Sequence, residues 1–434
     1  MTYQEAVQYL YSQMPLFQNI GSKAYKDGLN NSLALDSETG HPHRRYKTIH
    51  VAGSNGKGSV SHTLAAILQS AGYTTGLYTS PHILDFRERI RVDGKPVPEN
   101  FVIDFVEKHA TLFEILHPSF FEVTTAMAFS YFSESKVDVA VIEVGLGGRL
   151  DCTNIINPDL SIITNISFDH VNLLGSTLPK IAAEKAGIIK PNTPVIIGES
   201  LPETKIIFEK RAKQENAPII FAQNSNQILS VCSDNEGNFI FQTPLYHSLL
   251  FELQGEYQLK NANTILNAIC QLQNIGYNIP ESAVRNGFGS VCKITGLKGR
   301  WQTLAHNPLI ICDTGHNVQG FEYISKHLNR LSASPGFGTL RIVLGMVNDK
   351  DIEGILNILP KNAFYYFTQP SVQRSLDFET LAKTAYSFGL KGIKHPSVKE
   401  SIYSARKEAS ANDIIFVGGS TFVVADLLNL PEFS

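Results

Sequence analysis

The stretch Gly53-Ser54-Asn55-Gly56-Lys57-Gly58-Ser59 constrains this chain more than any other. Thr48-Ile49-His50-Val51-Ala52 precedes it and reads as a buried strand. Val60 to Ala71 follows, with Val60, Leu64, Ile67 and Leu68 at helical spacing and Gly72 as the stop. Strand, glycine-rich turn and helix form a geometry in which backbone N–H groups point at a phosphate and the helix N-terminus adds a favourable dipole. The glycines let backbone approach the ligand without a Cβ clash, Lys57 supplies a cation, and the Ser59 hydroxyl is placed for Mg²⁺ or a phosphate. Gly58 intervenes between lysine and serine, a departure from the standard G-x-x-x-x-G-K-[ST] spacing. A ligand-free glycine turn is the alternative; the strand and helix on either side favour nucleotide binding.

The rest of the chain reads as strands alternating with helices. Tyr3 to Tyr11 is an expected helix, with Thr2 and Glu5 spaced as a capping box. Asn19 to Arg45 is polar and poorly periodic and reads as a long loop, with His41, His43, Arg44 and Arg45 as a solvated basic face. Further strands are expected over Thr75–Thr79, Val137–Val144, Leu160–Ile166, Val195–Ile197 and Ile219–Phe221. Phe86–Val92 alternates before an Asp93-Gly94 hairpin turn, and Leu229–Leu253 suggests antiparallel hairpins. Helices are expected over Glu99–Leu116, Glu122–Phe132, Thr177–Ala186, Leu259–Gln273 and Glu281–Phe288. After a linker at Ile294–Gly299, a second alternation has strands at Leu309–Cys312, Leu340–Leu344, Ala363–Phe367 and Asp413–Val417. The fold class is α/β in two domains, 1–296 and 297–434, each with a mainly parallel sheet.

With 434 residues, 43% hydrophobic and 18% charged, the chain has the composition of a globular protein. A formal net charge of −3 gives no electrostatic case for nucleic acid or an anionic membrane. Five scattered cysteines without a C-x-x-C pair fit neither a disulfide framework nor a zinc site. No apolar run reaches membrane-spanning length and the first residues lack a signal-peptide pattern, so a cytoplasmic protein is expected.

Open α/β sheets hold ligands at the carboxyl ends of their strands, and there the polar residues gather. Ser80 and His82 follow one strand, Glu143 ends another and His170 lies just past a third. Oxygen donors such as Ser80 and Glu143 suit a hard cation that keeps its waters, His170 less so. Gly145-Leu146-Gly147-Gly148-Arg149 reads either as an anion nest or as a tight, close-packed turn. Asp313-Thr314-Gly315-His316-Asn317 is a polar cluster at the second domain's first strand end, with Arg300 close by in sequence. Gly418-Gly419-Ser420-Thr421 opens a helix and is either a carboxylate holder or a plain N-cap.

Together these pieces resemble the folylpolyglutamate synthase/dihydrofolate synthase family of the Mur ligase superfamily. The resemblance rests on Gly53–Ser59, Thr79-Ser80-Pro81-His82 with Phe86–Ile90, Phe121–Ala126, Glu143–Asn154, Asp169-His170, Glu184–Ile188, Asn261-Ala262, Asp313–Asn317 and Gly418-Gly419-Ser420. It implies an N-terminal P-loop domain, a C-terminal Rossmann-like glutamate ligase domain, and ATP-dependent addition of L-glutamate to dihydropteroate or folates through an acyl phosphate. Asn55, Gly56, Lys57, Gly58, Ser59, Asn261, Arg300 and Asp313 would hold ATP. Ser80, Glu143 and His170 would hold magnesium, two ions in all, with Lys185 carrying a CO₂-derived carbamate as a further ligand. Ile20, Gly21, Phe121, Glu122, Leu150, Asp151 and Cys152 would line the pterin pocket. His316 and Ser420 would lie near the incoming glutamate, with Lys57, Lys185 and His316 as catalytic groups. Only small-molecule partners and a monomeric chain are expected. The departures are Leu297-Lys298 where a proline is common before Gly-Arg, Thr314-Gly315 where Gly-Ala is usual, Val318 where proline is usual, and Cys152 where alanine is common. A Mur-type ligase acting on a UDP-muramyl peptide and a nucleotide-dependent switch without ligase activity are the competing readings; no extra N-terminal UDP-binding domain is evident before Gly53.

Overall fold

The computed structural model describes residues 1–14, 28–234 and 237–433. They divide into two compact units, Met1–Leu253 with Gln258–Leu297, and Gln254–Tyr257 with Lys298–Ser434.

The first unit is built on an eight-stranded sheet in the order β4-β3-β2-β5-β1-β6-β7-β8. Its strands are β1 Lys47–Ala52, β2 Thr75–Tyr78, β3 Ile90–Val92, β4 Lys95–Pro96, β5 Val139–Glu143, β6 Leu160–Ile163, β7 Val195–Ile197 and β8 Ile219–Phe221. Pairing is parallel from β2 through β8, and β3 and β4 add an antiparallel edge. Alternate side chains of the central strands enter opposite cores, as a sheet covered on both faces requires. Ile49, Val51 and Val141 pack with Val60, Leu64 and Ile67 on one side, while Ala140 and Ile142 pack with Val123 and Met127 on the other. A small antiparallel sheet, β11-β10-β9 (Leu249–Phe251, Phe239–Gln242, Ser230–Ser233), matches the alternation read in 229–253.

The second unit has six strands in the order β12-β13-β17-β14-β15-β16. They are β12 Gln302–His306, β13 Leu309–Asp313, β14 Leu340–Gly345, β15 Phe364–Thr368, β16 Lys391–Lys394 and β17 Ile414–Gly418. All pairs are parallel except β12 with β13.

Three expectations need correction. Part of the long loop expected over 19–45 is a helix, Asn30–Glu38, whose buried face carries Ser32, Leu35 and Asp36. A helix that buries a serine and a carboxylate gives no apolar stripe, so periodicity missed it. The carboxylate is buried because His41 and His43 close on it, at 2.6 and 2.7 Å through their Nδ1 atoms. His43 is therefore buried rather than part of a solvated face, and burial holds its pKa below the ordinary value. Strands β12 and β16 were also unanticipated: both lie at sheet edges and lack a fully buried run. Finally, the linker expected from Ile294 begins inside a short helix, Val291–Thr295.

Candidate active site

Strand β1 ends at Ala52, and the loop that follows feeds the helix Lys57–Ser70. Gly53 and Gly56 take positive φ angles of 148° and 84°, which side chains rarely adopt. A Cβ on Gly53 would sit 1.8 Å from Thr164 Oγ1, and one on Gly56 would sit 2.3 Å from Asn261 Oδ1. The loop is strapped to the segment after β6: Asn55 N donates to Asn165 Oδ1 at 2.9 Å, Ser54 Oγ donates to Ser167 O at 3.0 Å, and Thr164 Oγ1 donates to Asn55 O. The helix has Gly56 as its N-cap, with no side chain satisfying its first N–H groups. Those donors and the helix dipole are what an anion needs.

Two lysines converge on one loop carbonyl. Lys57 Nζ donates to Gly53 O at 3.0 Å and to Ser54 O at 3.2 Å, and Lys185 Nζ donates to Gly53 O at 3.0 Å. Lys185 is buried, and that burial, followed by the neighbouring Lys57 ammonium, pulls its pKa down to about 7. The glycine-rich turn after β5 delivers it. A Cβ on Gly148 would meet Glu184 O at 2.7 Å and Lys185 Cα at 2.9 Å, and Arg149 N donates to Glu184 O at 2.7 Å. Of the two readings left open for 145–149, this is the close-packed turn.

Ser80 and Glu143 are brought together. Tyr78 and Ile142 are register partners of β2 and β5, so the residues beyond them emerge side by side, and Ser80 N donates to Glu143 Oε2 at 3.4 Å. Glu143 is buried at the strand end. His170 lies seven residues past β6 with φ 49°, its Nε2 3.7 Å from Asp169 Oδ2. Among the described residues no group of three or more His, Cys, Asp or Glu is arranged to hold a metal ion. A hydroxyl, a buried carboxylate and an imidazole at neighbouring strand ends nevertheless fit an oxygen-seeking cation that retains water.

Of the expected pterin residues, Ile20 and Gly21 lie outside the described residues. Phe121 stacks on Tyr78 at 5.8 Å and fills the space a Cβ on Gly145 would need, 2.3 Å from its ring. Glu122 caps its own helix by accepting from Ser119 N at 2.6 Å, and Asn31 Nδ2 also reaches it, at 3.4 Å. Asp151 is buried and accepts from Leu146 N at 2.8 Å and Thr153 N at 3.0 Å; burial raises its pKa. Leu150 lies in the turn just before it, and Cys152, Glu122 and Asp36 share a narrow cavity.

In the second unit the register pair Asp313–Gly418 sets the 313–317 loop beside Gly418-Gly419-Ser420. Asp313 accepts from Trp301 N at 2.8 Å, Gly315 N at 2.7 Å and the Tyr257 hydroxyl at 2.6 Å. Arg300 donates to Thr314 Oγ1, and His316 Nδ1 lies 3.1 Å from Thr314 O. Ser420 caps the helix Thr421–Leu428 by accepting from Val423 N at 3.2 Å.

The Mur ligase middle domain matches residues 51–269, and the Mur ligase glutamate ligase domain matches residues 299–421. The Escherichia coli dihydrofolate synthase/folylpolyglutamate synthase is 32% identical over 430 residues, 99% of this chain and 97% of that protein. The chain belongs to the dihydrofolate synthase/folylpolyglutamate synthase family of Mur ligases. The structure of E. coli FolC in complex with DHPP and ADP superposes with a TM-score of 0.83 at 30% identity, covering 99% of this chain and 97% of that one. The Yersinia pestis bifunctional folylpolyglutamate synthase/dihydrofolate synthase, complexed with AMPPNP and Mn ion, gives a TM-score of 0.81 at 28% identity, covering 99% and 97%.

Within this Mur ligase fold, several residues at the site escaped the sequence reading. Gln258 Nε2 donates to Ser59 Oγ at 3.1 Å, and Asn261 Nδ2 donates to Gln258 Oε1 at 2.8 Å. Thr164 and Asn165 brace the phosphate loop, and Tyr257 holds Asp313. All but Tyr257 carry uncharged polar side chains, which only the fold turns into partners. Thr314, noted as a departure, ties the Asp313 loop to Gly299 through its backbone N–H at 3.0 Å and its hydroxyl at 3.1 Å.

Proposed function

We propose that the chain is an ATP-dependent ligase that joins L-glutamate to dihydropteroate and to reduced folates through an acyl phosphate. The observation that carries this reading is the convergence of Lys57 and Lys185 on the Gly53 carbonyl, beneath an uncapped helix N-terminus and within a chain that matches both Mur ligase domains. Residues 1–296 bind ATP and the pteridine acid, and 297–434 bring Arg300 and Asp313 to the nucleotide and His316 and Ser420 to glutamate.

A carboxylate resists amine attack because its leaving group would be oxide. In the first step a carboxylate oxygen of the acid attacks the γ-phosphorus; the bond to the β,γ-bridging oxygen breaks and ADP leaves. In the second, the glutamate amine attacks the acyl carbon, the C–N bond forms, the C–O bond to phosphate breaks and the amine loses a proton. Asn55, Gly56, Gly58 and Ser59 cradle the triphosphate, Lys57 offsets the charge on its transferred end, and Asn261 reaches the nucleotide. This is catalysis by position and charge. Ser80, Glu143 and His170 would hold magnesium, two ions in our reading, which when bound supplies charge neutralisation on the phosphates. Lys185 has the properties carbamate formation needs: a buried amine whose neutral form is accessible near pH 7 attacks CO₂ and sheds a proton, becoming an anion. Phe121, Glu122, Leu150, Asp151 and Cys152, with Ile20 and Gly21, would line the pterin pocket. No helix among the described residues is long and apolar enough to cross a membrane; we place the protein in the cytoplasm as a monomer.

The test is purified protein with ATP, glutamate and either dihydropteroate or tetrahydrofolate, scored for amide product. Product dependent on all three substrates is expected. ATP hydrolysis indifferent to both the acid and glutamate would overturn the reading in favour of a nucleotide switch.

A further inference from the structure

The backbone passes between the two units three times, at 253/254, 257/258 and 297/298. The third passage lies between two glycines with positive φ, Gly296 at 71° and Gly299 at 68°. The second is different, because its two consecutive residues are each anchored by a side chain. Tyr257, which groups with the second unit, donates its hydroxyl to Asp313 Oδ2 at 2.6 Å. Its ring lies 6.5 Å from that of Tyr323, and the preceding Glu256 pairs with Lys326 at 3.5 Å and Arg330 at 2.5 Å. Burial, and then the Asp313 carboxylate, holds the Tyr257 pKa far above its ordinary value, so the phenol keeps its proton and stays a donor. Gln258, which groups with the first unit, is fully buried and donates to Ser59 Oγ at 3.1 Å. Its own orientation is set by Asn261, whose Nδ2 donates to Gln258 Oε1 at 2.8 Å. Because Ser59 Oγ accepts from Gln258, its single hydrogen is directed elsewhere, and Lys260 reinforces the same side through Glu199.

We propose that Tyr257 and Gln258 are a pair of positioning residues that tie the phosphate loop to the nucleotide-binding carboxylate of the second unit. This rests on the reading above, in which Ser59 and Asp313 both meet ATP. Gln258 aims the Ser59 hydroxyl and Tyr257 fixes the Asp313 carboxylate. Since one peptide bond joins them, a displacement of Ser59 by bound phosphate reaches Asp313 without slack, whereas the glycine-flanked passage at 297/298 yields.

The test uses the full chain with Tyr257→Phe, which deletes only the hydroxyl, Gln258→Glu, which keeps the acceptor for Asn261 but loses the donor to Ser59, and the double variant. KM for ATP, KM for glutamate, ligand-free melting temperature and the rise in melting temperature with Mg-ADP are measured for each. Each single variant is expected to melt like the wild type without ligand, to lose most of the Mg-ADP rise, and to raise KM for ATP about tenfold while KM for glutamate moves less than about twofold. The double variant is expected to be no worse than the worse single one, because a coupled pair fails as a unit. Unchanged KM for ATP in the single variants, or a double variant whose effect is the product of the two, would overturn the coupling. A wild-type chain that binds no adenine nucleotide would overturn the site reading and this inference together, and that outcome is recognised from the wild-type arm alone.

Discussion

Both units end their parallel strands in loops that open helices, yet the two sets of helix N-termini are finished differently. At Lys57–Ser70 the N-cap is Gly56 and no side chain takes the first N–H groups. In the second unit Asn317 accepts from Gly320 N at 2.9 Å, Asp351 from Gly354 N at 2.9 Å and Ser420 from Val423 N at 3.2 Å. An uncapped N-terminus held open by glycines keeps its donors for a ligand, whereas a self-capped one has spent them on its own side chain. The phosphate site is therefore made of backbone, and whatever the second unit binds must be recognised chiefly by side chains such as Arg300, Asp313 and His316. The burial of charge follows the same division. In the first unit Lys57 and Lys185 share a carbonyl, and like charges so close are held for a partner anion. In the second, Asp313 is already met by three donors.

The contrast is broken most directly at Glu143. Glu143→Ala is expected to cut magnesium-dependent turnover by about a thousandfold or more while circular dichroism and melting stay native-like, since the residue faces the site rather than the core. Turnover within about tenfold of wild type would remove Glu143 from the machinery. Lys185→Ala should cost about a hundredfold or more, and added bicarbonate should not restore it, because no amine remains to take up CO₂. Recovery with bicarbonate would show that the side chain has no such role.

A smaller effect separates the stabilities of the two units. Each holds a buried neutral histidine: His50 in β1, bonded to Thr153 Oγ1 at 2.9 Å, and His327, stacked on Trp301 at 4.1 Å. Burial lowers their pKa values to about 3 and about 4. Unfolded histidine protonates near 6.5, so below that pH the unfolded chain binds more protons and stability falls as pH drops toward the folded values. His50→Gln, which keeps a donor for Thr153, should flatten the fall between pH 6.5 and pH 4 in the first unit, and His327→Gln should do so in the second. Urea midpoints across that range measure it, and an unaltered slope in both variants would place the acid sensitivity elsewhere.

The first unit's site was legible in sequence because its chemistry is carried by glycines and charged residues in short runs. Gly53–Ser59 and Glu143–Arg149 announce a backbone close to something, and Lys57, Glu143 and Lys185 are rare enough in buried strand and helix ends to stand out. Strand order was also accessible in outline, since βα alternation implies parallel pairing. What sequence could not give were the neutral partners. Gln258, Thr164 and Asn165 carry no pattern, and their roles exist only once β1, β6 and the helix Tyr257–Asn274 are side by side. The helix Asn30–Glu38 failed for a related reason: its buried Asp36 is paid for by histidines five and seven residues on, a tertiary bargain no propensity records.

Ser420 is where the comparison between the units is finest. It is proposed to meet glutamate, yet its oxygen already accepts from Val423 N, so its two roles can be pulled apart. Ser420→Ala removes both and should cost about 1 kcal/mol of stability, the usual value of an N-cap, together with a rise in KM for glutamate. Ser420→Asp restores the cap and adds favourable charge at the helix N-terminus, so the melting temperature should recover. The same carboxylate would repel an anionic amino acid, so KM for glutamate should rise further than in the alanine variant. If stability and KM instead recover together in Ser420→Asp, the serine only finishes its helix, and glutamate is held by His316 and its neighbours without it.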